Sequence, residues 1–215
     1  MVEDNIRRIL KELPPGVKLV AVSKFHPCES IMAAYKAGNR VFGENRPQEF
    51  SSKAVQLPQD IEWHFIGHLQ TNKLKLVLPY ASIVESIDSR RLLDAVQAWG
   101  AAHDKVINVL LELHLGAEET KGGFTEEEIE EILSRPYSHI HFRGLMGMAT
   151  NTDDESVIEA DFIRIEAFKK HLDEVYDLPE FTELYIGMSH DWPIAVRHGA
   201  TIVRIGTAIF GPRDY

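Results

Sequence analysis

Apolar positions along the chain switch between two periods. Short, mostly apolar runs with β-branched residues fall at 19–22, 41–43, 62–66, 82–87, 105–115, 140–148, 183–186 and 201–205. Such runs read as strands buried on both faces. Between them, apolar residues recur every three or four positions, the spacing of one helix face. This pattern predicts helices from about Ile31 to Gly38, then over 48–57, 71–78, 91–99, 126–133 and 153–175, with a short one at 193–198. In the longest, Phe162, Ile165, Phe168, Leu172 and Val175 form the stripe. Pro58, Pro79 and Pro136 stop three of them. One further helix, carrying Val2, Ile6, Ile9, Leu10 and Leu13, precedes the first strand and ends at Pro14-Pro15-Gly16. Strand and helix thus alternate eight times with short connections, which implies a parallel sheet; eight units in 215 residues is the count that closes a barrel. The expected fold is α/β, a single (β/α)8 TIM barrel with an extra N-terminal helix, formed as one domain over residues 1–215. A doubly wound open sheet also alternates, but no Gly-rich fingerprint follows the first strand.

Composition narrows the function classes. A formal net charge of -10 with no Lys/Arg-rich run disfavours binding to nucleic acid, although small anions can still bind locally. The amino terminus, MVEDNIRRIL, has no apolar signal-like core, and no apolar run is long enough to span a bilayer. No membrane partner is therefore expected. Cys28 is the sole cysteine, which excludes an intramolecular disulfide and fits a reducing, cytoplasmic setting.

In a barrel, the carboxyl ends of the strands meet at one mouth, where ligands bind. Here those ends are Lys24, Asn45, Gly67-His68, Asp88, His114 to Gly116, Met148, Met188-Ser189 and Arg204-Gly206-Thr207. Lys24 closes the run KLVAVSK, and Pro27 turns the chain beyond it. By itself it also reads as an ordinary strand-end lysine reaching for water. After the last two strands of a barrel a phosphate commonly sits. At those places GMSHDWP offers Ser189 and Asp191 ahead of a short helix, and RIGTAIFG offers Gly206 and the Thr207 hydroxyl. The same residue types also serve as plain turn and cap residues. A lysine facing a phosphate cradle across a barrel suits a phosphorylated aldehyde held as a Schiff base.

Seven ordered segments carry a resemblance: LVAVSKFHP, FGENRPQE, WHFIGHLQTNK, GAEETKGGF, RGLMGMAT, IGMSHDWPIAVRHGAT and VRIGTAIFG. Together, over nearly the whole chain, they resemble the YggS/PROSC-type pyridoxal phosphate homeostasis proteins, a family similar to the barrel domain of alanine racemase. The resemblance implies pyridoxal 5'-phosphate as cofactor, a role in intracellular vitamin B6 balance or cofactor delivery, and no robust turnover. It makes Lys24 the Schiff-base lysine, sets Asn45 beside the ring and His64 at the cofactor's face, and makes Ser189, Gly206 and Thr207 the phosphate ligands. Arg204 becomes the partner of the pyridine nitrogen; a permanently charged guanidinium cannot accept a proton, so that nitrogen stays unprotonated. The implied partners are pyridoxal phosphate and the apoenzymes that use it, with the chain a monomer or weak dimer. The sequence departs from the family pattern at Phe25-His26, Arg46 and His190, all on the expected pocket rim. Lys121, in GAEETKGGF, is a candidate second amine or simply a solvated loop lysine.

Two competing readings involve other chemistry. His139 and His141 form an H-x-H of the kind zinc hydrolase barrels use, but they precede the apolar part of their strand, at the amino edge. His64 and His68 are four apart, yet Phe65-Ile66-Gly67 between them reads as strand and turn. A pyridoxal-phosphate racemase or decarboxylase is the nearer enzymatic alternative. It needs a domain closing over the cofactor, and only ten residues follow Ile205.

Overall fold

The computed structural model describes residues 1–116 and 122–212. Among them, eight parallel strands close into a barrel in simple sequential order. The strands are β1 Lys18–Val22, β2 Val41–Glu44, β3 Glu62–Phe65, β4 Ile83–Ile87, β5 Ile107–Leu113, β6 Ile140–Gly147, β7 Glu183–Tyr185 and β8 Ile202–Ile205. The ring is sealed where β1 runs beside β8, with Val20 opposite Arg204. The helices are α1 Val2–Glu12, α2 Cys28–Lys36, α3 Pro47–Gln56, α4 Leu74–Val77, α5 Arg90–His103, α6 Glu126–Leu133, α7 Glu155–Val175, α8 Trp192–Arg197 and α9 Thr207–Phe210.

The expected (β/α)8 architecture with its leading helix is therefore present, and most boundaries fall within two residues of the hydrophobic pattern. Two differences have local causes. The helix expected over 71–78 splits into a 3-10 turn, Thr71–Lys73, and the single turn of α4. Lys73, which ends the first and caps the second, has φ -109° and ψ 0°, outside helical geometry. The one-turn helix α9 has no counterpart in the sequence reading, because four residues are too few to show a helical period.

Two apolar clusters hold the fold. The larger lies between the outer strand faces and the helices, built on Phe42, Phe50, Trp63, Phe65, Leu93 and Phe162 among others. The smaller fills the barrel with Val20, Ile83, Leu110, Met146, Tyr185 and Ile202. Successive side chains of a strand alternate between faces. Counting two residues on from these interior positions puts Glu85, Glu112 and Arg204 on the inner face, toward the carboxyl ends. The same count along β1 runs from Val20 through Val22 to Lys24, and the ladder bond from Ser23 N to Gly43 O (3.0 Å) carries the register past the strand's end. The barrel thus has an apolar floor and a polar upper layer, and Lys24 lies where that layer opens.

Candidate functional site

Lys24 occupies a turn after β1 and is partly exposed. Phe25, next to it, has φ 68°, a left-handed backbone that aromatic residues seldom adopt. Asn45 follows β2 at the same edge, and its Oδ1 is buried without a protein partner. Gly67, after β3, packs so tightly on it that a Cβ there would come within 2.2 Å of the Asn45 carbonyl oxygen. Only glycine allows the second and third strands to approach this closely at the mouth.

The loops after β7 and β8 meet as the sequence pattern suggests. Gly206 N donates to Ser189 Oγ at 3.5 Å. A Cβ on Gly206 would lie 3.3 Å from the Val22 carbonyl oxygen, so the cradle abuts β1 two residues before Lys24. Thr207 opens α9 and is exposed. Asp191 is not a site ligand but a brace: its carboxylate accepts from Met188 N and so shapes the Ser189 turn. His190 is exposed on that turn. Lys121 lies outside the described residues.

Arg204 is 7% exposed, with Nε and one terminal nitrogen buried and unpartnered. Its guanidinium carbon stands 4.8 Å from the centre of the Tyr185 ring, a cation-π contact. Leaving guanidinium donors unpaired in a protein interior is costly, so such atoms point to an acceptor supplied by a ligand. Tyr185 OH and Glu85 Oε2 are buried without partners in the same interior. Burial pushes the Glu85 carboxyl up, while the bond from His64 and the charges of His64 and Arg204 pull the other way. The Tyr185 phenol is driven well above its ordinary range by burial and the Glu85 charge, against Arg204.

His64 is placed differently from the other candidates. It is buried, its Nδ1 pairs with Glu85 Oε1, and it borders a cavity of about 200 Å³ with Lys18, Asn108, Arg143 and Glu183, at the amino ends of the strands. It thus reaches the upper layer through Glu85. The residues that sequence reasoning missed are the interior ones, Glu85, Glu112 and Tyr185, and a buried group behind the lysine turn, Glu44, Glu49 and Lys53. The acids Glu85 and Glu112 within otherwise mainly apolar strands, and the acid of FGEN at a strand end, were the available signals.

The alternative chemistry finds no such convergence. His141 bonds Asn108 Oδ1 at 3.0 Å and pairs with Glu180, whereas His139 meets Ser138 Oγ at 2.9 Å. His68, at the mouth, pairs with Asp88 at 2.7 Å. Among the described residues no group of three or more His, Cys, Asp or Glu side chains is arranged to hold a metal. No helix among them is long and apolar enough to cross a membrane.

Comparison with known proteins agrees with the barrel fold. Residues 1–214 match the family model of the alanine racemase N-terminal domain. The pyridoxal phosphate homeostasis protein of Aquifex aeolicus is 38% identical over 201 residues, covering 92% of this chain and 88% of that one. PipY of Synechococcus elongatus superposes with a TM-score of 0.92 at 33% identity in its structure without PLP, covering 98% of this chain and 100% of that one. Its structure with PLP bound gives 0.87 at 32% identity, with the same coverage. Alanine racemase from E. faecalis shares the fold at TM-score 0.76 and 20% identity; the match covers 98% of this chain but 57% of the racemase. The chain belongs to the pyridoxal phosphate homeostasis protein family.

Proposed function

We propose that this protein binds pyridoxal 5'-phosphate as a Schiff base on Lys24 and serves intracellular vitamin B6 balance, holding and releasing the cofactor without robust catalysis. The observation that carries the reading is the buried guanidinium of Arg204, two of whose nitrogens have no hydrogen-bond partner, facing the interior beneath the mouth, in a chain whose relative PipY has been solved with PLP bound. The donor set fits that group. Ser189, the Gly206 amide and Thr207 supply hydroxyl and N–H donors for a phosphate, Asn45 offers an amide beside the ring, and Arg204 offers N–H donors to a ring nitrogen. Bound there, the cofactor supplies an electrophilic aldehyde conjugated to a pyridine ring. Lys24 offers the amine, and Arg204 keeps its protons, so the ring nitrogen remains unprotonated and draws electrons less strongly. His64 supports this layer from below by orienting Glu85.

Residues 1–215 form one cofactor-binding domain in this reading, acting in the cytoplasm as a monomer or weak dimer and passing pyridoxal phosphate to apoenzymes. A racemase-like activity is the second reading, favoured by the shared barrel of alanine racemase. The first test is spectroscopic. Purified protein with pyridoxal phosphate should develop a visible band that borohydride bleaches, with the pyridoxyl mass found on the peptide containing Lys24. Lys24→Ala should lose the band while keeping its circular dichroism; a persisting band at full occupancy would remove Lys24 as anchor.

A further inference from the structure

The side chain of Lys53, on α3, is 7% exposed, and its ammonium has three partners. It donates to Ser23 O at 2.9 Å, Glu44 Oε1 at 2.7 Å and Glu49 Oε1 at 2.7 Å. Ser23 Oγ donates to the same Glu44 oxygen at 2.6 Å. Phe25 N donates to Glu49 Oε1 at 2.8 Å. One buried cluster therefore grips the main chain on both sides of Lys24: the carbonyl of the residue before it and the amide of the residue after it. Phe25, gripped in this way, is the residue with φ 68°. Its ring is also covered by the Arg46 guanidinium, 4.3 Å from the ring centre.

Packing alone would dock α3 without this cluster. Phe50 stands edge-on to Trp63 at 5.9 Å and to Phe65 at 5.6 Å, and Ala54 and Leu57 are buried beside it. The Glu44 carboxylate and the Lys53 ammonium have been taken out of water, with Glu49 at the edge of the cluster, where apolar side chains would serve stability as well. What the charged cluster adds is a fixed direction for a strained turn.

We propose that Lys53 and Glu49 are positioning residues that preset the turn bearing Lys24 for condensation with an aldehyde. This rests on the reading of Lys24 as the anchor. In that step the neutral Lys24 amine adds to the aldehyde carbon and a C–N bond forms; the nitrogen gives up its two protons, the carbonyl oxygen takes up two and leaves as water, and a C=N bond remains. No electrons are gained or lost overall. The cluster affects where Lys24 Nζ stands when the carbon arrives, and a small misplacement of a reacting atom is expensive.

The test uses two ligands on the full chain. Pyridoxamine 5'-phosphate carries the same ring and phosphate but an amine in place of the aldehyde, so it cannot condense with lysine. Glu49→Ala removes the Phe25 acceptor and one Lys53 partner at a position that is 22% exposed. It should weaken pyridoxal phosphate binding and slow the appearance of the visible band by about tenfold to a hundredfold, while binding pyridoxamine phosphate within about twofold of the parent. If it does not fold, Glu49→Gln, which keeps the shape and an acceptor oxygen, is read by the same ratio of the two ligands, with a smaller loss. Lys53→Arg should recover more of the rate than Lys53→Met. Parallel losses for both ligands, or an unchanged band and rate in Glu49→Ala, would overturn the positioning role. A Lys24→Ala protein that keeps its band would instead overturn the anchor itself, so the two failures are distinct.

Discussion

At the scale of single residues, the phosphate end of the proposed site would rest on the Ser189 and Thr207 hydroxyls and the Gly206 amide. Ser189 and Gly206 come from different loops and meet at 3.5 Å, and Thr207 stands exposed next to them. A dianion would recruit both hydroxyls and the amide together, each bond being charge-assisted. Replacing Ser189 and Thr207 by alanine should therefore cost pyridoxal phosphate roughly 1.5 to 3 kcal/mol per lost bond, and pyridoxal, which lacks the phosphate, far less. Isothermal titration with the two vitamers checks this, and equal losses would move the phosphate elsewhere. Arg204 and Lys24 differ in kind: the first is buried in a position that β8 decides, the second sits on a turn whose shape other residues maintain.

At the scale of elements, α7 and α8 are joined by a titratable clamp. His198, which ends α8, bonds Glu166 Oε2 at 2.9 Å and Glu159 Oε1 at 3.2 Å, both on α7. Burial lowers the imidazole pKa, but the two carboxylates outweigh it and the net value rises above 6.5. The same contact lowers Glu159 below 4.5. A histidine whose folded pKa is raised adds stability that is complete below its unfolded value and lost as pH climbs through the folded one. The clamp therefore weakens above pH 6.5, and on the acid side it weakens as Glu159 is protonated. Thermal melts of the parent should lose an increment of stability on going from slightly acid to slightly alkaline buffer. His198→Gln should lack that increment; identical pH profiles would show that the pair contributes nothing.

At the scale of the whole molecule, the barrel accounts for 98% of the chain when superposed on alanine racemase, but for only 57% of the racemase. What the two share is the fold. In the proposed orientation Arg204 withholds the ring proton that would help spread a carbanion's charge. The expected outcome is that protein loaded with pyridoxal phosphate shows no multiple-turnover racemisation, transamination or decarboxylation of common amino acids, although amines slowly strip its cofactor. Chiral chromatography after incubation with each enantiomer of alanine measures this. Sustained turnover without cofactor loss would restore the enzymatic reading.

Much of the architecture was written in local pattern. Eight apolar runs punctuated by Pro and Gly specify eight buried strands, and α6 begins at Glu126 and ends at Leu133 as its periodicity predicts, with Thr125 and Glu128 forming the capping box. Lys24, Asn45, Ser189, Arg204 and Gly206 were legible as mouth residues because a parallel barrel collects its strand ends in one place. The division of the helix at Lys73 and the one-turn α9 were not, since their lengths carry no period. Nor was the position of His64: its strand was read correctly, but that its ring would turn to Glu85, twenty-one residues on, depends on β3 lying beside β4 in a particular register. The grip on Lys24 is the clearest case. Glu49 and Lys53 look like an ordinary i, i+4 surface pair in the sequence. Only the packing of α3 against β2 and β3 buries Lys53 and aims the pair at the two neighbours of Lys24. Periodicity determines which segments fold and which faces they bury; the closure of the ring decides which polar groups meet.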